Sequence, residues 1–421
     1  MVSKAFGEFI ETEYGTPHIS PEALNEKITI REKLVIFDSR PEEEYRNMNI
    51  PGAINVPGSE LVYRFFDMVP DSDTLVVVNC AGRTRSIIGA QSLINARVPN
   101  PVTALKNGTM GWHLAGFDLE HGRRLNLPAP SAEGLARATA CVRQVTARFN
   151  VKKIDRTTLT EWQKETTGRT LYLFDIRLPE EFVTGHLKGS RNAPGVQLVQ
   201  ASDEYMAVRN ARVVLVDDNG IRATMTASWL IQAGWQDVFV LDGGIGDASL
   251  VTDPYAPNIP GFKALKTLSA QTLKEQLKTG SAVALIDVAT SREYRQAHIA
   301  GAFWIIRSRL ARDLAHIPSP QRFVVTSPDG ILAHLAAKEL QSLRPDIPVE
   351  VLEGGSTAWV DAGYTTEKGM TAPASDLEDV CYKPYEFNDA PEAAMKEYLE
   401  WEVALVEALE KDGSLKFRRF D

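Results

Sequence analysis

Cysteine is scarce in this chain of 421 residues. Only Cys80, Cys141 and Cys381 occur, and their spacing matches neither a paired disulfide framework nor a metal-binding pattern. The seven histidines are scattered, again without metal-ligand spacing. The sequence therefore predicts no structural disulfide, no metal site and a reducing, cytoplasmic location.

Long apolar runs are also missing. After Met1 the chain reaches Phe6 and Phe9 without a charged leader region or an extended hydrophobic stretch, which predicts neither a secretory signal nor a transmembrane span. The formal net charge of −9 opposes general nucleic-acid binding. These features favour a soluble protein with no nucleic-acid or membrane partner.

The most informative residue that is present is Cys80. It follows the strand-like run 76–79 and precedes a short turn, Ala81 to Ser86, that opens an apolar segment with helical spacing. Backbone N–H groups between a strand end and a helix start can converge on one point, where they bind an anion. With Arg83 and Arg85, this loop predicts a stabilised thiolate. A half-buried structural cysteine is the alternative.

The position of the arginine separates two chemistries. A cysteine phosphatase carries its arginine after five intervening residues, where this chain has Ser86. Arg85 closes a loop that is one residue tighter. That loop suits a sulfur atom carried on Cys80 better than a phosphoryl group.

Motifs on both sides of the loop make the chain resemble a known family. The upstream segment 38–45 reads DSRPEEEY and the downstream segment 107–112 reads NGTMGW. Together with Cys80 they resemble a rhodanese sulfurtransferase domain. Arg83 stands where the family's loop most often has glycine.

The same pattern occurs three times. An aspartate follows an apolar strand-like run at Asp38, Asp175 and Asp287, and the active-loop position follows 42, 42 and 40 residues later. We place the glycine of the closing turn at Gly108, Gly243 and Gly354, which are 28, 26 and 27 residues farther along. A period this regular indicates tandem copies of one domain.

The predicted fold is α/β, with three tandem rhodanese-like domains, each a parallel sheet with helices on both faces. The predicted boundaries are 1–125 (active), 126–252 (a connecting helix and an inactive domain), 253–366 (inactive) and 367–421 (a tail). Some bacterial members of the family carry four such units with this loop in the second. The resemblance suggests that this chain either lacks a leading domain or has been cut free of one.

The tail contains a predicted helix at 392–410. Its apolar residues recur at helical spacing: Met395, Tyr398, Leu399, Val403, Val406 and Leu409. Such a stripe favours docking on the chain's own core. A homodimer interface is the alternative.

The second and third loops lack the thiol. The second has Asp217 at the nucleophile position but keeps Gly220 and Arg222, whereas the third has Ser327 and loses the arginine at Leu332. A carboxylate at this point could accept the loop N–H groups itself. Both loops are predicted to be catalytically silent and to serve as structural or interaction surfaces.

The resemblance implies a double displacement without a cofactor. Cys80 would take the outer sulfur of thiosulfate or a related persulfide donor, and a thiol or cyanide would then accept it. The expected substrate-binding residues are Ala81, Gly82, Arg83, Thr84 and Arg85. Two other functions stay open: a persulfide carrier for a partner enzyme and an interaction scaffold. Cys141 is predicted to be a packed residue, and a relay thiol at Cys381 is the less favoured alternative.

Overall fold

The structure is a computed structural model. It describes residues 2–69, 71–124, 127–165, 167–253, 259, 265–279, 282–377, 379–380, 382–386, 391–413 and 416–421. The chain divides into two compact units. The first unit joins Met1–Ala256 to Pro384–Asp421, and the second is Pro257–Lys383. The first unit thus contains two of the sequence repeats, and the second unit contains the third.

The first repeat alternates strands with helices. Its strands are β1 (His18–Ile19), β2 (Leu34–Asp38), β3 (Ile54–Asn55), β4 (Leu75–Asn79) and β5 (Val102–Leu105). Its helices are α1 (Val2–Tyr14), α2 (Pro21–Thr29), α3 (Glu42–Asn47), α4 (Glu60–Met68), α5 (Thr84–Asn95) and α6 (Gly108–Leu114).

The second repeat follows the same plan and begins with a long connecting helix. Its strands are β6 (Lys152–Ile154), β7 (Leu171–Asp175), β8 (His186–Leu187), β9 (Arg191–Asn192), β10 (Arg212–Val216), β11 (Val238–Leu241) and β12 (Leu250–Val251). Its helices are α7 (Ala132–Arg148), α8 (Arg156–Lys164), α9 (Pro179–Thr184), α10 (Gly195–Gln200), α11 (Ser202–Tyr205) and α12 (Ile221–Gln232).

The third repeat makes up the second compact unit. Its strands are β13 (Thr267–Leu268), β14 (Val283–Asp287), β15 (Phe303–Trp304), β16 (Arg322–Thr326) and β17 (Val349–Leu352). Its α-helices are α13 (Ala270–Lys278), α14 (Ser291–Gln296), α15 (Leu310–Asp313), α16 (Ile331–Leu343) and α17 (Gly355–Asp361). Short 3₁₀ helices cover Arg307–Arg309 and Leu314–His316.

The three main sheets are parallel and share one strand order. The orders are β1-β5-β4-β2-β3, β6-β11-β10-β7-β9 and β13-β17-β16-β14-β15. Alternate residues of a central strand point to opposite faces, so Val77 of β4 joins one apolar cluster while Val76 and Val78 join another. The predicted α/β class with parallel sheets is confirmed. The middle strand of each sheet ends directly before Cys80, Asp217 or Ser327.

Polar caps fix the starts of equivalent helices. Ser20, Asp155 and Ser269 precede α2, α8 and α13, and each side chain accepts a backbone N–H from the first turn. Such caps satisfy donors that have no partner within the helix. The repeats therefore agree in local signals as well as in strand order.

The closing turns correct one detail of the sequence alignment. A Cβ added to Gly108 would lie 2.3 Å from the carbonyl oxygen of Cys80. The residues in the same relation to Asp217 and Ser327 are Gly244 and Gly355, at 2.3 and 2.0 Å, and all three glycines have positive φ. The equivalent glycines are therefore Gly244 and Gly355, and the assignment to Gly243 and Gly354 was wrong by one residue.

The first two repeats share an apolar core. Every residue of α12 is buried, and Trp229 of that helix donates from its indole nitrogen to Ser92 Oγ of α5 at 2.9 Å. Phe6 of α1 contacts the Trp229 ring edge to face. The helix that follows Asp217 is thus packed beside the helix that follows Cys80.

The tail returns to the first unit. A 3₁₀ helix at Pro384–Glu386 precedes α18 (Pro391–Asp412), which packs beside α1. Met395 and Leu399 of α18 form a buried cluster with Met110 of α6, whereas Val403 is exposed. In the part of the chain that the structure describes, no helix combines the length and apolarity needed to cross a membrane.

Candidate active site

Cys80 lies between the end of β4 and the start of α5. Its side chain is buried, with 2% exposed, and the thiol donates to the hydroxyl oxygen of Ser86, with Sγ and Oγ 3.5 Å apart. That hydroxyl in turn donates to the carbonyl oxygen of Arg83 at 2.7 Å. The first turn of α5 begins at Thr84, and its N–H groups have no carbonyl partner within the helix. Ser86 is therefore a residue of the site. In the sequence it was noted only as the position at which a cysteine phosphatase carries its arginine.

The closing turn around Gly108 holds the Cys80 loop in place through hydrogen bonds to its backbone. The carbonyl oxygen of Cys80 accepts the backbone N–H of Thr109 at 2.7 Å and its hydroxyl at 3.0 Å. Asn79 Nδ2 donates both to Thr109 Oγ1 and to Asp38 Oδ2. These bonds fix the backbone from which the Cys80 side chain projects.

Arg85 lies close enough to Cys80 for the two groups to interact electrostatically. Its guanidinium donates two hydrogen bonds to the carboxylate of Glu44, at 2.9 and 2.7 Å. Burial alone lowers the pKa of Arg85, but Glu44 and the negative charge of a Cys80 thiolate outweigh it and raise that pKa. Arg85 is therefore a permanent, buried positive charge next to the sulfur.

Arg83 departs from the expectation of a substrate-binding side chain. Its guanidinium contacts two carboxylates of α1, Glu8 at 2.7 Å and Glu11 at 2.5 Å, and also Asn107. Burial lowers the pKa of Arg83 but the bond to Glu8 raises it, and the net direction is upward. Gly7 allows this approach, because a Cβ there would lie 2.9 Å from Thr84 Cα. The charge of Arg83 is thus already matched within the fold.

The remaining loop residues face the tail and the closing turn. Ala81 accepts the backbone N–H of Met110 through its carbonyl oxygen, at 2.9 Å. Thr84 Oγ1 donates to Glu402 Oε1 of α18 at 2.9 Å. A Cβ on Gly82 would lie 2.9 Å from Met110 Cε and 3.1 Å from Glu402 Oε2. Besides Arg83, the loop that follows Cys80 contains the predicted site residues Ala81, Gly82, Thr84 and Arg85. Helix α18 packs against this loop, and sequence reasoning did not connect the two.

Two tyrosines of the tail lie over the same loop. Burial, followed by the negative charges of Glu402 and Cys80, raises the pKa of Tyr398. Burial and the charge of Glu44 likewise raise the pKa of Tyr385. Both phenols are therefore neutral groups beside the Cys80–Arg85–Glu44 cluster.

The second loop shows what this geometry does to a carboxylate. Asp217 is fully buried, and its two oxygens accept the backbone N–H groups of Gly220 at 2.5 Å and Ala223 at 3.1 Å. The prediction that Asp217 occupies the anion site from within is confirmed. Burial raises the pKa of Asp217 to about 6, although Arg222 opposes that shift.

The third loop keeps the same contact with a hydroxyl. Ser327 Oγ accepts the backbone N–H of Ala333 at 3.1 Å, in the relation that Asp217 has to Ala223. Gly220 and Gly330 precede α12 and α16 with φ near +80°, whereas Arg83, at the same position, has φ −116°. The arginine thus gives the Cys80 loop a different backbone path from the loops at Asp217 and Ser327.

The third repeat differs from the first two at the aspartate that ends β2, β7 and β14. Asp38 is paired with Arg40 at 2.6 Å, and Asp175 with Arg177 at 2.6 Å. Asp287 has Ala289 where those arginines stand, and burial raises its pKa to about 7.

The other cysteines and two histidines noted in the sequence lie outside the Cys80 loop or outside the described residues. Cys141 is half-buried on α7, and burial raises its pKa, which agrees with a packed thiol. Cys381 lies outside the described residues. His186 and His298 each bond through Nδ1 to a backbone carbonyl oxygen four residues earlier.

Comparisons with known proteins agree with this geometry. A family model described as the rhodanese-like domain matches residues 20–115, 158–248 and 269–362. The crystal structure of a thiosulfate sulfurtransferase from Pseudomonas aeruginosa is 45% identical and has a TM-score of 0.92. That match covers 100% of this chain and 79% of the other. The predicted superfamily is confirmed, and this match supports the predicted enzyme class.

Shorter matches occur among curated proteins. The thiosulfate sulfurtransferase GlpE of Pseudomonas aeruginosa is 37% identical over 73 residues, which is 17% of this chain and 62% of that protein. The HTH-type transcriptional regulator Rv0324 of Mycobacterium tuberculosis is 33% identical over 90 residues, 21% of this chain and 39% of the regulator. The matched segment spans less than two thirds of each of these two proteins.

Proposed function

The chain belongs to the rhodanese-like domain family, and we propose that it is a sulfurtransferase that carries sulfane sulfur as a persulfide on Cys80. The donor is thiosulfate or a related sulfane compound, and the acceptor is a thiol or cyanide. The names of the two sulfurtransferase relatives support thiosulfate as donor. Cys80 is the reacting residue, and Arg85 with the loop N–H groups stabilises the charges.

One observation carries this proposal. In both silent repeats the side chain at the loop position accepts a backbone N–H from the following helix, at Asp217 and at Ser327. We infer that the N–H groups of the first turn of α5 serve the Cys80 position in the same way, along the different backbone path that Arg83 gives this loop. In the first repeat that atom is sulfur, beside a buried arginine. A terminal persulfide sulfur carries negative charge, and these donors stabilise it.

The first half-reaction loads the cysteine. The Cys80 thiolate attacks the outer sulfur of thiosulfate, a new S–S bond forms, and the bond between the two donor sulfurs breaks. Sulfite leaves with the electron pair, and Cys80 retains a persulfide anion. Arg85 stays protonated throughout, so it offsets charge without exchanging a proton.

The second half-reaction returns the cysteine to its starting state. An acceptor thiolate attacks the terminal sulfur of the Cys80 persulfide, and the S–S bond to Sγ breaks. The electron pair leaves on Cys80 as a thiolate, and the proton lost by the acceptor thiol is carried by the product persulfide. No change in the net oxidation state of the pair occurs.

Sulfite release tests the proposal. Mixing the protein with thiosulfate in the absence of an acceptor should release sulfite in a single burst, and Cys80→Ser should abolish the burst. Cys141→Ser is the matched control, since that thiol is on α7 outside the loop. A burst that persists in Cys80→Ser would overturn the proposal.

A further inference from the structure

Glu402 is a buried charged residue near the Cys80 loop, and the proposed mechanism gives it no role. It lies on α18, and none of its side chain is exposed. Oε1 accepts the hydroxyl of Thr84 at 2.9 Å and pairs with Lys4 Nζ at 3.3 Å. Oε2 is buried and has no hydrogen-bond partner among the described residues. A buried carboxylate oxygen without a donor is costly, so its retention calls for a ligand.

That oxygen is aimed at the loop. It lies 3.1 Å from the point where a Cβ on Gly82 would stand, and Gly82 is two residues after Cys80. Burial, followed by the negative charges of Glu402 and Cys80, raises the pKa of Tyr398 on the same helix, so both groups lie near this phenol. Glu402 is thus a direct neighbour of the loop that follows Cys80.

The side chains around the Cys80 loop carry more negative than positive charge. Arg83, Arg85 and Lys4 supply the positive charges, and the carboxylates in contact with them or with the loop are those of Glu8, Glu11, Glu44 and Glu402. Three cations thus face four carboxylates. The unmatched carboxylate oxygen, Glu402 Oε2, attracts a positively charged donor in this water-poor setting.

We propose that Glu402 Oε2 forms a subsite beside the Cys80 loop for the protonated amine of an aminothiol acceptor, so that the second half-reaction selects acceptors by their charge. The resident ammonium of Lys4 on Oε1, with the Tyr398 ring 5.8 Å from it, shows that this carboxylate and ring accommodate that chemistry. The amine binds and is not transformed; only the acceptor thiol exchanges atoms. This inference rests on the proposed function, because it concerns the acceptor of the Cys80 persulfide.

The test compares acceptors that differ in charge. Cysteamine carries an amine, 2-mercaptoethanol is neutral and 3-mercaptopropionate carries a carboxylate. The measured quantity is kcat/KM for each acceptor, expressed as a ratio to 2-mercaptoethanol within one protein, so that differences in the thiols themselves cancel between variants. Glu402→Gln should lower the cysteamine ratio roughly ten- to a hundredfold, the scale of one lost charged hydrogen bond, and should raise the 3-mercaptopropionate ratio.

Two further variants keep the experiment decisive. Glu407→Gln changes an exposed carboxylate of the same helix, 75% exposed, and should leave both ratios unchanged. Glu402→Asp keeps the charge and should retain most of the cysteamine preference, which keeps the test usable if Glu402→Gln does not fold. Equal loss with all three acceptors in Glu402→Gln would mean a structural or general-base role and would overturn the inference.

Persulfide loading distinguishes a failure of the proposed sulfurtransferase function from a failure of the amine subsite. Loading of Cys80 by thiosulfate is measured by mass in each variant before the acceptor is added. Absent loading in the unmodified protein contradicts the proposed function itself. Normal loading with unchanged acceptor ratios in Glu402→Gln contradicts only the amine subsite.

Discussion

Arg222 of the second repeat donates to Glu60 of the first at 2.8 Å, and both side chains are fully buried. The same guanidinium also contacts Glu181 and Asp218, and it stacks on the Tyr63 ring at 4.3 Å. Arg222 is the counterpart of Arg85, which pairs with Glu44 beside Cys80. The arginine of the second loop therefore joins the two repeats of the first unit.

Removing Arg222 should destabilise the first unit. Arg222→Met leaves the buried carboxylate of Glu60 without one of its partners, and breaking a buried ion pair costs about 3 kcal/mol or more. Denaturant unfolding measures this loss. Lys411→Met, which breaks an exposed pair with Glu407, is the control and should change the unfolding free energy by less than about 1 kcal/mol. Equal effects of the two changes would show that Arg222 does not hold the repeats together.

Asp287 should make the second unit less stable as the pH rises. Its pKa is raised to about 7 in the folded chain, so the folded state holds the proton more tightly than the unfolded chain, whose carboxyl has a pKa of about 4. The stability that this group contributes is fully present below about pH 4 and is lost as the pH rises through 7. Asp287→Asn should therefore stabilise the unit at pH 8, by about 2–4 kcal/mol, with little gain at pH 4.

A matched substitution checks the cause. Asp175→Asn removes the partner of Arg177 in the second repeat and should destabilise its unit at pH 8 instead. Thermal unfolding at the two pH values follows both variants. If Asp287→Asn gave the same change at pH 4 and pH 8, the titration of Asp287 would not be the cause.

The silent loops should regain reactivity unequally. In a Cys80→Ser background, Asp217→Cys places a thiol at the point where the N–H groups of Gly220 and Ala223 converge. Labelling by thiosulfate should be slow, because Arg222 is already bound to three carboxylates. Ser327→Cys should be slower still, because Leu332 replaces the arginine. Equal rates at the two positions, followed by mass, would contradict the assignment of the second loop as a decayed sulfur site.

Arg85 should matter more than Arg83 for the donor. Arg85→Ala removes the buried charge beside Cys80 and should lower kcat/KM for thiosulfate about ten- to a thousandfold. Arg83→Gln should have a smaller effect, because Glu8 and Glu11 already match that charge. Steady-state rates with thiosulfate decide the order, and the reverse order would remove Arg85 from the proposed mechanism.

The features of the fold that depend on residues close together in the sequence could be predicted from it. The valine-rich strand before Cys80, the loop itself and the threefold repeat all follow from short-range patterns, and the parallel sheets agree with them. Gly108 was recognisable as a closing turn, but its equivalents were misplaced by one residue, since adjacent glycines at 243 and 244 and at 354 and 355 look alike in sequence.

The rest of the site comes from distant segments. Glu402 is 318 residues from Thr84, and Glu8 is 75 residues from Arg83. Neither belongs to a local motif, because each is brought to the loop by the packing of α1 and α18. Arg83 looked like a free cation for this reason. The tail helix was expected to bury its apolar stripe, and Met395 and Leu399 are buried, but the hydrogen bond to Thr84 comes from Glu402, a carboxylate outside that stripe.

The location of the transferred sulfur atom shows whether Cys80 is the residue that carries it. The full chain is incubated with thiosulfate, and its intact mass and protease fragments are then measured under non-reducing conditions. We expect a gain of about 32 Da, one sulfur atom as a persulfide, on the fragment that contains Cys80, and no gain in Cys80→Ser. Stable sulfur on Cys141 or Cys381 in the Cys80→Ser protein, or none on Cys80 in the unmodified chain, would contradict it.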